Sequence, residues 1–511
     1  MLLVVACPPL RPPVPQPPRN GRRVTVVDNA RIAGVTVTAT RSRRDVGMLT
    51  MRAASVDGLE GASTSTSTST STSTPASGIP VPDDRIAVKS MSFAELVAFC
   101  RDVLDEPHPE KRAKQLWRWM YSDYAWIRSL EDAAVETTQN GFSKAFRDKF
   151  DAVATVDGGL RLVDEHTASD GTVKLVFELT RGEGKGGKIE TVLIPVVREH
   201  ESAGGAKERI TLCVSSQLGC AMGCTFCWTG KLGLLGNLST GQIVEQVVAA
   251  RRYHYERFGT GVGDRGREGD GDGGRGRDGA SGGQRGGEKP ARYVSPITNI
   301  VYMGMGEPLD NLDAVVSSLD IVQDHHGLHF SHNKVTVSTV GLVPEIRELL
   351  RRTSGNVALA VSLHGATNEV RGSIVPVNGR YPVEELVAAL EELFPAGEKT
   401  APHVLIEYTM MAGVNDRVQD AEALLRVLAR VKCKINLIVF NPHEGTKYEA
   451  STNESVRAFR DVLIRGGRVV TVRASRGDDE AAACGQLGGN VDDARRLKKH
   501  ILSSSSSSSL S

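Results

Sequence analysis

The chain has 511 residues, 40% apolar and 24% charged, with a formal net charge of +1. That length implies more than one domain, and the composition is that of an ordinary globular chain. The near-zero net charge gives no global nucleic-acid signature, and no apolar run approaches the roughly 18–20 residues that span a bilayer, so no membrane is expected.

Residues 1–87 differ from the rest. Residues 1–52 contain nine Arg, no Lys and two acids, Asp28 and Asp45, and an alternating Ser-Thr run fills 63–74. An acid-poor leader rich in Arg, Ser and Thr reads as an organelle transit peptide. The other reading is a disordered tail of a cytosolic protein; the exclusion of acids favours targeting. Composition does not separate chloroplast from mitochondrion, and chloroplast is taken as the expected destination.

Residues 88–200 read as a small α+β accessory domain. "SFAELVAFCRDVL" begins at a Ser cap and sets Phe93, Leu96, Val97 and Phe99 on one helical stripe. In "KRAKQLWRWMY", Lys111, Arg112, Lys114 and Arg118 stand beside Trp117, Trp119 and Tyr121. Cations beside aromatics can hold RNA phosphates and stack bases, although an amphipathic helix with a solvated face is the commoner cause. "GTVKLVFELT" and "KIETVLIPVV" follow as β-branched, strand-like runs; Glu190 in the second reads as a strand residue on a solvated face.

Residues 205–490 alternate strand-like and helical runs. "ITLCVSS", "ITNIVYMG", "KVTVSTVG", "NVALAVSLHG", "HVLIEYTMM", "INLIVFN" and "RVVTVRAS" are the strands, with amphipathic helices between them. Such a series predicts an α/β fold with a parallel, barrel-like sheet whose chemistry lies at the C-terminal ends of the strands. The Gly/Arg/Asp-rich stretch 259–292 cannot pack and reads as a loop expansion between a helix and a strand. Residues 491–511 form a tail ending in a serine run; "RRLKKH" within it is a second candidate RNA contact.

Four of the eight cysteines lie in "TLCVSSQLGCAMGCTFC". Cys220, Cys224 and Cys227 form C-x3-C-x2-C, with no second close pair to complete a structural zinc site. Three thiolates can hold three irons of a 4Fe–4S cluster and leave the fourth iron open. Zinc remains the alternative on residue types alone. Cys100 and Cys433 lie in apolar runs and read as core. A lone strand cysteine such as Cys213 is usually packing, whereas Cys484, in the Gly-containing "AAACGQLGG", reads as exposed on a mobile loop.

These segments resemble the RlmN/Cfr family of radical S-adenosylmethionine methyltransferases, which act on adenine in ribosomal RNA. The resemblance rests on "IETVLIP", "TLCVSSQLGCAMGCTFC", "ITNIVYMGMGEPLDNL", "VTVSTVG", "VALAVSLHG", "KINLIVFNP" and "RGDDEAAACGQL", in the family's order over roughly 88–490. It implies a partial (β/α)6-type radical-SAM barrel, a 4Fe–4S cluster on Cys220, Cys224 and Cys227, and two S-adenosylmethionine molecules per turnover. It implies that Gly306, Glu307, Ser338, Ser362, Leu363, His364 and Asn441 meet the cofactor. Cys484 would carry a methyl group, Glu190 would accept a proton, and Cys213 would release the product by forming a disulfide with Cys484. The implied partners are ribosomal RNA, with transfer RNA open, and an electron donor of ferredoxin or flavodoxin type; the chain is expected to be a monomer. Carbon 2 of adenine is expected as the family's housekeeping target, with carbon 8 open. A non-catalytic RNA-binding or assembly protein that retains the fold is the alternative. Trp228 departs from the small residue usual there and could crowd the cluster; "LGLLGNLS" lacks an Arg often found before Asn-Leu.

Overall fold

The computed structural model describes residues 85–122, 126–136, 138, 140–195, 209–258, 295–398, 400–473, 476–483 and 485–488, together with the backbone of Val27–Ile32 and Val35–Thr40. Those two strands pair antiparallel within a compact unit, Met1–Asp84, and Arg85–Ser511 form a second unit. The rest of the expected leader, the 259–292 insertion, Cys484 and the 491–511 tail with "RRLKKH" lie outside the described residues. No helix among the described residues is long and apolar enough to cross a membrane.

The second unit opens with α1 (Phe93–Asp102), α2 (Pro109–Tyr121) and α3 (Lys144–Asp151). Ser92 caps α1 as its sequence suggests. Its hydroxyl accepts the Glu95 N–H at 3.3 Å, and the Glu95 carboxylate accepts the Ser92 N–H at 2.8 Å. Leu96, Phe99 and Cys100 carry the buried stripe. In α2, Trp117 and Tyr121 are buried, pack edge-to-face 4.8 Å apart, and Trp117 Nε1 donates to Asp324 at 3.3 Å. Neither ring is available to stack a base. The helical period put them on the buried face, while Lys111, Lys114 and Arg118 remain exposed.

The main sheet has ten strands in sequence order: β1 (Leu160–Thr167), β2 (Val173–Leu179), β3 (Lys188–Pro195), β4 (Ile210–Cys213), β5 (Ile297–Tyr302), β6 (Val335–Thr339), β7 (Ala358–Ser362), β8 (Val404–Met410), β9 (Cys433–Val439) and β10 (Val469–Arg473). From β4 to β10 every neighbouring pair is parallel. The connections carry α4 (Trp228–Leu232), α5 (Thr240–Phe258), α6 (Leu312–Gln323), α7 (Val343–Arg352), α8 (Asn368–Ile374), α9 (Val383–Leu393), α10 (Val418–Val427) and α11 (Asn453–Arg465). Helical crossovers between successive parallel strands build the expected α/β architecture with its largely parallel sheet. Strands covered on both faces need apolar residues throughout, and β8 has only one residue, Leu405, less than fully buried.

The sheet does not stop where the accessory region was expected to end near residue 200. Strands β1 to β3 form an antiparallel meander, and β3 pairs antiparallel with β4. The accessory strands thus extend the core sheet, with Val192 opposite Cys213. The helices dock separately through a buried ion pair between Lys89, just before α1, and Glu245 of α5.

Candidate active site

The cysteine loop hangs from a hairpin beyond β4. Gln217–Cys220 pairs antiparallel with Gly233–Asn237, so Cys220 faces Gly233. Gly219 has φ +77°, and a Cβ there would lie 1.9 Å from the Gly233 carbonyl oxygen, so only glycine closes this hairpin. The loop is pinned at three points. The Thr225 N–H donates to the Ile374 carbonyl at the end of α8 (3.0 Å), the Cys227 N–H donates to the Cys224 carbonyl (3.1 Å), and His443 Nε2 lies 3.1 Å from the Phe226 carbonyl. Burial above all pushes the Cys220 thiol up to about 12 and the Cys224 thiol well above its ordinary value, with the neighbouring thiols adding to both.

Around this loop the strand ends supply further groups. Gly306, past β5, has φ +100°, and a Cβ there would sit 2.5 Å from Gln217 Cβ. Glu307 is buried and accepts N–H groups from Leu309 (3.1 Å) and Val340 (2.8 Å), tying the end of β5 to the end of β6. Burial pushes its carboxyl up to about 7 against the pull of those hydrogen bonds. Ser338 on β6 donates to Glu407 Oε2 on β8 at 3.1 Å, and the Leu363 N–H donates to the Glu407 carbonyl at 3.0 Å. Ser362 ends β7, half-buried. His364 follows at φ +55°, accepts the Thr409 N–H on Nδ1 at 3.0 Å and meets Phe226 edge-on. Burial first, and Arg371 second, push it down to about 3. It is a neutral imidazole with its proton on Nε2.

A cavity lies beside the end of β4. Its walls include Val192 of β3, Cys213, Asn441 past β9, Arg473 of β10, and Ala482, Ala483 and Leu487. Residues on both sides of position 484 therefore line the same space as Cys213. Glu190 lies on the same face of the sheet, two residues from the Val192 that pairs with Cys213. It is 4% exposed, not solvated as its strand pattern suggested, and its Oε2 accepts the Gly488 N–H at 3.1 Å.

The described part of the 476–488 segment is docked rather than loose. Trp228 N–H donates to the Gly485 carbonyl at 2.8 Å, the Thr229 hydroxyl donates to the Leu487 carbonyl, and Gln486 Nε2 donates to the Pro442 carbonyl at 3.1 Å. The Trp228 ring packs on Gly488 and edge-on to His443 at 5.3 Å. Trp228 thus braces the described residues on the C-terminal side of position 484.

Residues 288–427 match the model of the radical SAM superfamily, a span that does not include the cysteine loop. The chain is 38% identical over 411 residues to the dual-specificity RNA methyltransferase RlmN of Geotalea uraniireducens (strain Rf4), covering 80% of this chain and 99% of the relative. It is also similar to the crystal structure of a radical SAM methyltransferase from Sphaerobacter thermophilus, with a TM-score of 0.62 and 34% identity over 79% of this chain and 99% of the other. The chain belongs to the RlmN family of radical SAM RNA methyltransferases.

Membership in the RlmN family implies a 4Fe–4S cluster and S-adenosylmethionine, and the residues present fit the cluster. Buried, mutually repelling thiols are poorly suited to stand as bare anions and well suited to hold cationic metal as thiolates. Cys220, Cys224 and Cys227 would hold the cluster.

Cys100 is buried in α1 and pushed up to about 12 by that burial, while Cys433 is half-buried on β9 with the Arg468 guanidinium 3.9 Å from its sulfur. Several further residues of the site stand outside the motifs. Glu407 lies buried between Ser338 and Leu363. Arg371 of α8 is fully buried and donates to the carbonyls of Leu363 and Val340 and to Asn378. Lys174 is the lone cation within the apolar run of β2. A charge inside an apolar strand is the signal that could have marked Glu407 and Lys174.

Proposed function

We propose that this RlmN-family enzyme methylates carbon 2 of an adenine in large-subunit ribosomal RNA, with transfer RNA a second substrate, through a methyl group carried on Cys484. The single observation that carries the reading is the cavity bounded by Cys213 and by residues on both sides of position 484, with buried Glu190 on the same sheet face. The Geotalea relative is a dual-specificity RNA methyltransferase, which supports two RNA substrates.

Carbon 2 of adenine lies between two ring nitrogens and has no lone pair with which to attack a sulfonium methyl. Bound cluster and S-adenosylmethionine supply one-electron chemistry that removes a hydrogen atom from an unactivated methyl group. The protein's own residues do the rest in this reading. The Cys484 thiolate accepts the methyl group and presents it. Glu190, held in low-dielectric surroundings, takes the proton lost from the substrate carbon. Cys213 then attacks the Cys484 sulfur; as the S–S bond forms, the bond from that sulfur to the carried carbon, now joined to the base, breaks, and that carbon keeps the electron pair and takes up a proton to become the methyl group of the freed RNA. Gly306 and Glu307 serve the amino group of the cofactor, since glycine admits close backbone approach and a carboxylate favours an ammonium. Ser338, Ser362, Leu363, His364 and Asn441 complete that wall. The target adenine must leave its stack to enter.

An electron donor of ferredoxin or flavodoxin type, a monomeric state, two cofactor molecules per turnover and an organelle address, chloroplast before mitochondrion, belong to the same proposal; the acid-poor, Arg-rich composition of residues 1–52 supports the last. The test is anaerobic turnover on ribosomal and transfer RNA with mass spectrometry of the nucleosides. 2-Methyladenosine is expected, and it disappears with Cys484→Ala. 8-Methyladenosine as the product, or undiminished turnover in that variant, overturns the reading.

A further inference from the structure

Lys174 is 7% exposed, and its ammonium has three neighbours. It donates to the carbonyl oxygen of Glu480 at 2.7 Å and to that of Ala481 at 3.4 Å, and it stands 3.9 Å from Glu190 Oε1. The other oxygen of Glu190 accepts the Gly488 N–H. Lys174 pairs with Val192, two residues from Glu190, so the two side chains are diagonal neighbours on one face, within reach of a long side chain.

The pair therefore grips a single segment at both ends. Lys174 holds residues 480 and 481, Glu190 holds residue 488, and position 484 lies midway between them. The backbone is bent to meet this grip. Ala481 has φ +49°, the left-handed region that disfavours a residue with a Cβ, and its turn brings two successive carbonyls to one ammonium. Burying a lysine and a glutamate is costly, and apolar side chains would fill the same space more favourably. Other charges near the turn pair at its rim. Arg476 lies 3.6 Å from Asp170, His166 lies 3.4 Å from Glu480, and Asp479 accepts the Ser169 N–H at 2.9 Å. Lys174 faces Glu190 from within the sheet.

We propose that Lys174 is a positioning residue, and that with Glu190 it forms a charge-dependent staple that seats the segment around Cys484. A proton taken up by Glu190 weakens its hold on residue 488 and removes the negative charge facing Lys174, and so loosens the segment for its next partner. This second clause rests on the reading of Glu190 as the proton acceptor.

Hydrogen exchange of the full, cluster-loaded chain without RNA tests the staple. Glu190→Gln preserves size and removes charge, Lys174→Met removes the cation, and Lys174→Arg keeps it. Amides of 476–488 should exchange about tenfold faster in Glu190→Gln and Lys174→Met, with β8 and β9 unchanged. The double variant should be no faster than either single one, as for members of one unit, and Lys174→Arg should recover most of the protection. Wild-type exchange over 476–488 in either charge-removing variant overturns the staple, as does failure of Lys174→Arg to recover protection. Faster exchange with wild-type turnover in Glu190→Gln leaves the staple standing and overturns both proton-coupled release and the acceptor role of Glu190.

Discussion

His364 combines a left-handed backbone with an imidazole that burial keeps neutral. The unfolded chain protonates this histidine below about 6.5, whereas the folded protein does so only near 3. The unfolded state therefore binds the extra proton between those values, and stability falls as the pH drops through that window. At 1.36 kcal/mol per pH unit the loss is roughly 2 kcal/mol by pH 5. Asn tolerates the same backbone region and can accept the Thr409 N–H without titrating, so His364→Asn should flatten the difference in urea midpoint between pH 7 and pH 5. An undiminished slope would assign the effect to other groups. Glu307 acts in the opposite direction. With its carboxyl raised to about 7, the folded state holds a proton that the unfolded chain has released, and stability falls as the pH rises from about 4.5 through 7. At this scale the cysteine triad was readable in the sequence because its ligands are close neighbours in the chain. The sequence did not reveal that Glu190 is buried, because what covers it is a segment almost three hundred residues away.

Among elements, α4 links two parts of the site. It follows directly from Cys227, and its first residues hold the carbonyls of Gly485 and Leu487. A Cβ at position 488 would lie 2.3 Å from Trp228 Cδ1 and 2.9 Å from Nε1. Gly488→Ala must therefore move the ring or unseat the segment; overpacking of this kind costs about 1–3 kcal/mol. We expect turnover to fall at least about tenfold, with Trp228→Ala restoring part of it in the double variant, as coupled neighbours do. If Gly488→Ala behaves as wild type, the Trp228 contact does not hold the segment. The strands and most crossover helices were visible as alternating periods in the sequence. The hairpin that carries the cysteine loop was not, because its pairing depends on glycines at 219 and 233 rather than on apolar alternation. The three-residue spacing of Val343, Ile346 and Leu349 marks the buried face of α7. Helical phase places Trp117 and Tyr121 of α2 in the core, as the amphipathic reading of that pattern has it, and leaves Trp119 half-buried.

At the scale of the whole second unit, the accessory helices and the sheet are joined through charge as well as apolar contact. Lys89 is fully buried against Glu245 of α5, with Arg252 3.6 Å from the other carboxylate oxygen. Removing one partner of a buried pair strands the other, at about 3–5 kcal/mol. Lys89→Met should approach the lower figure, because Arg252 remains, and Lys89→Met with Glu245→Leu should recover most of the loss in urea unfolding. A single variant as stable as wild type would show that the pair contributes nothing to docking. The continuity of β3 with β4 was hidden in the sequence because a composition break near 200 resembles a domain boundary, and only pairing reveals one sheet. That continuity bears on biosynthesis. Contacts 298 and 306 residues apart tie β2 and β3 to the 476–488 segment, and in a chain emerging from its N-terminus the cysteine loop is made well before that segment. A nascent polypeptide thus presents its three clustered thiols before it can build the cavity wall that Ala482, Ala483 and Leu487 supply.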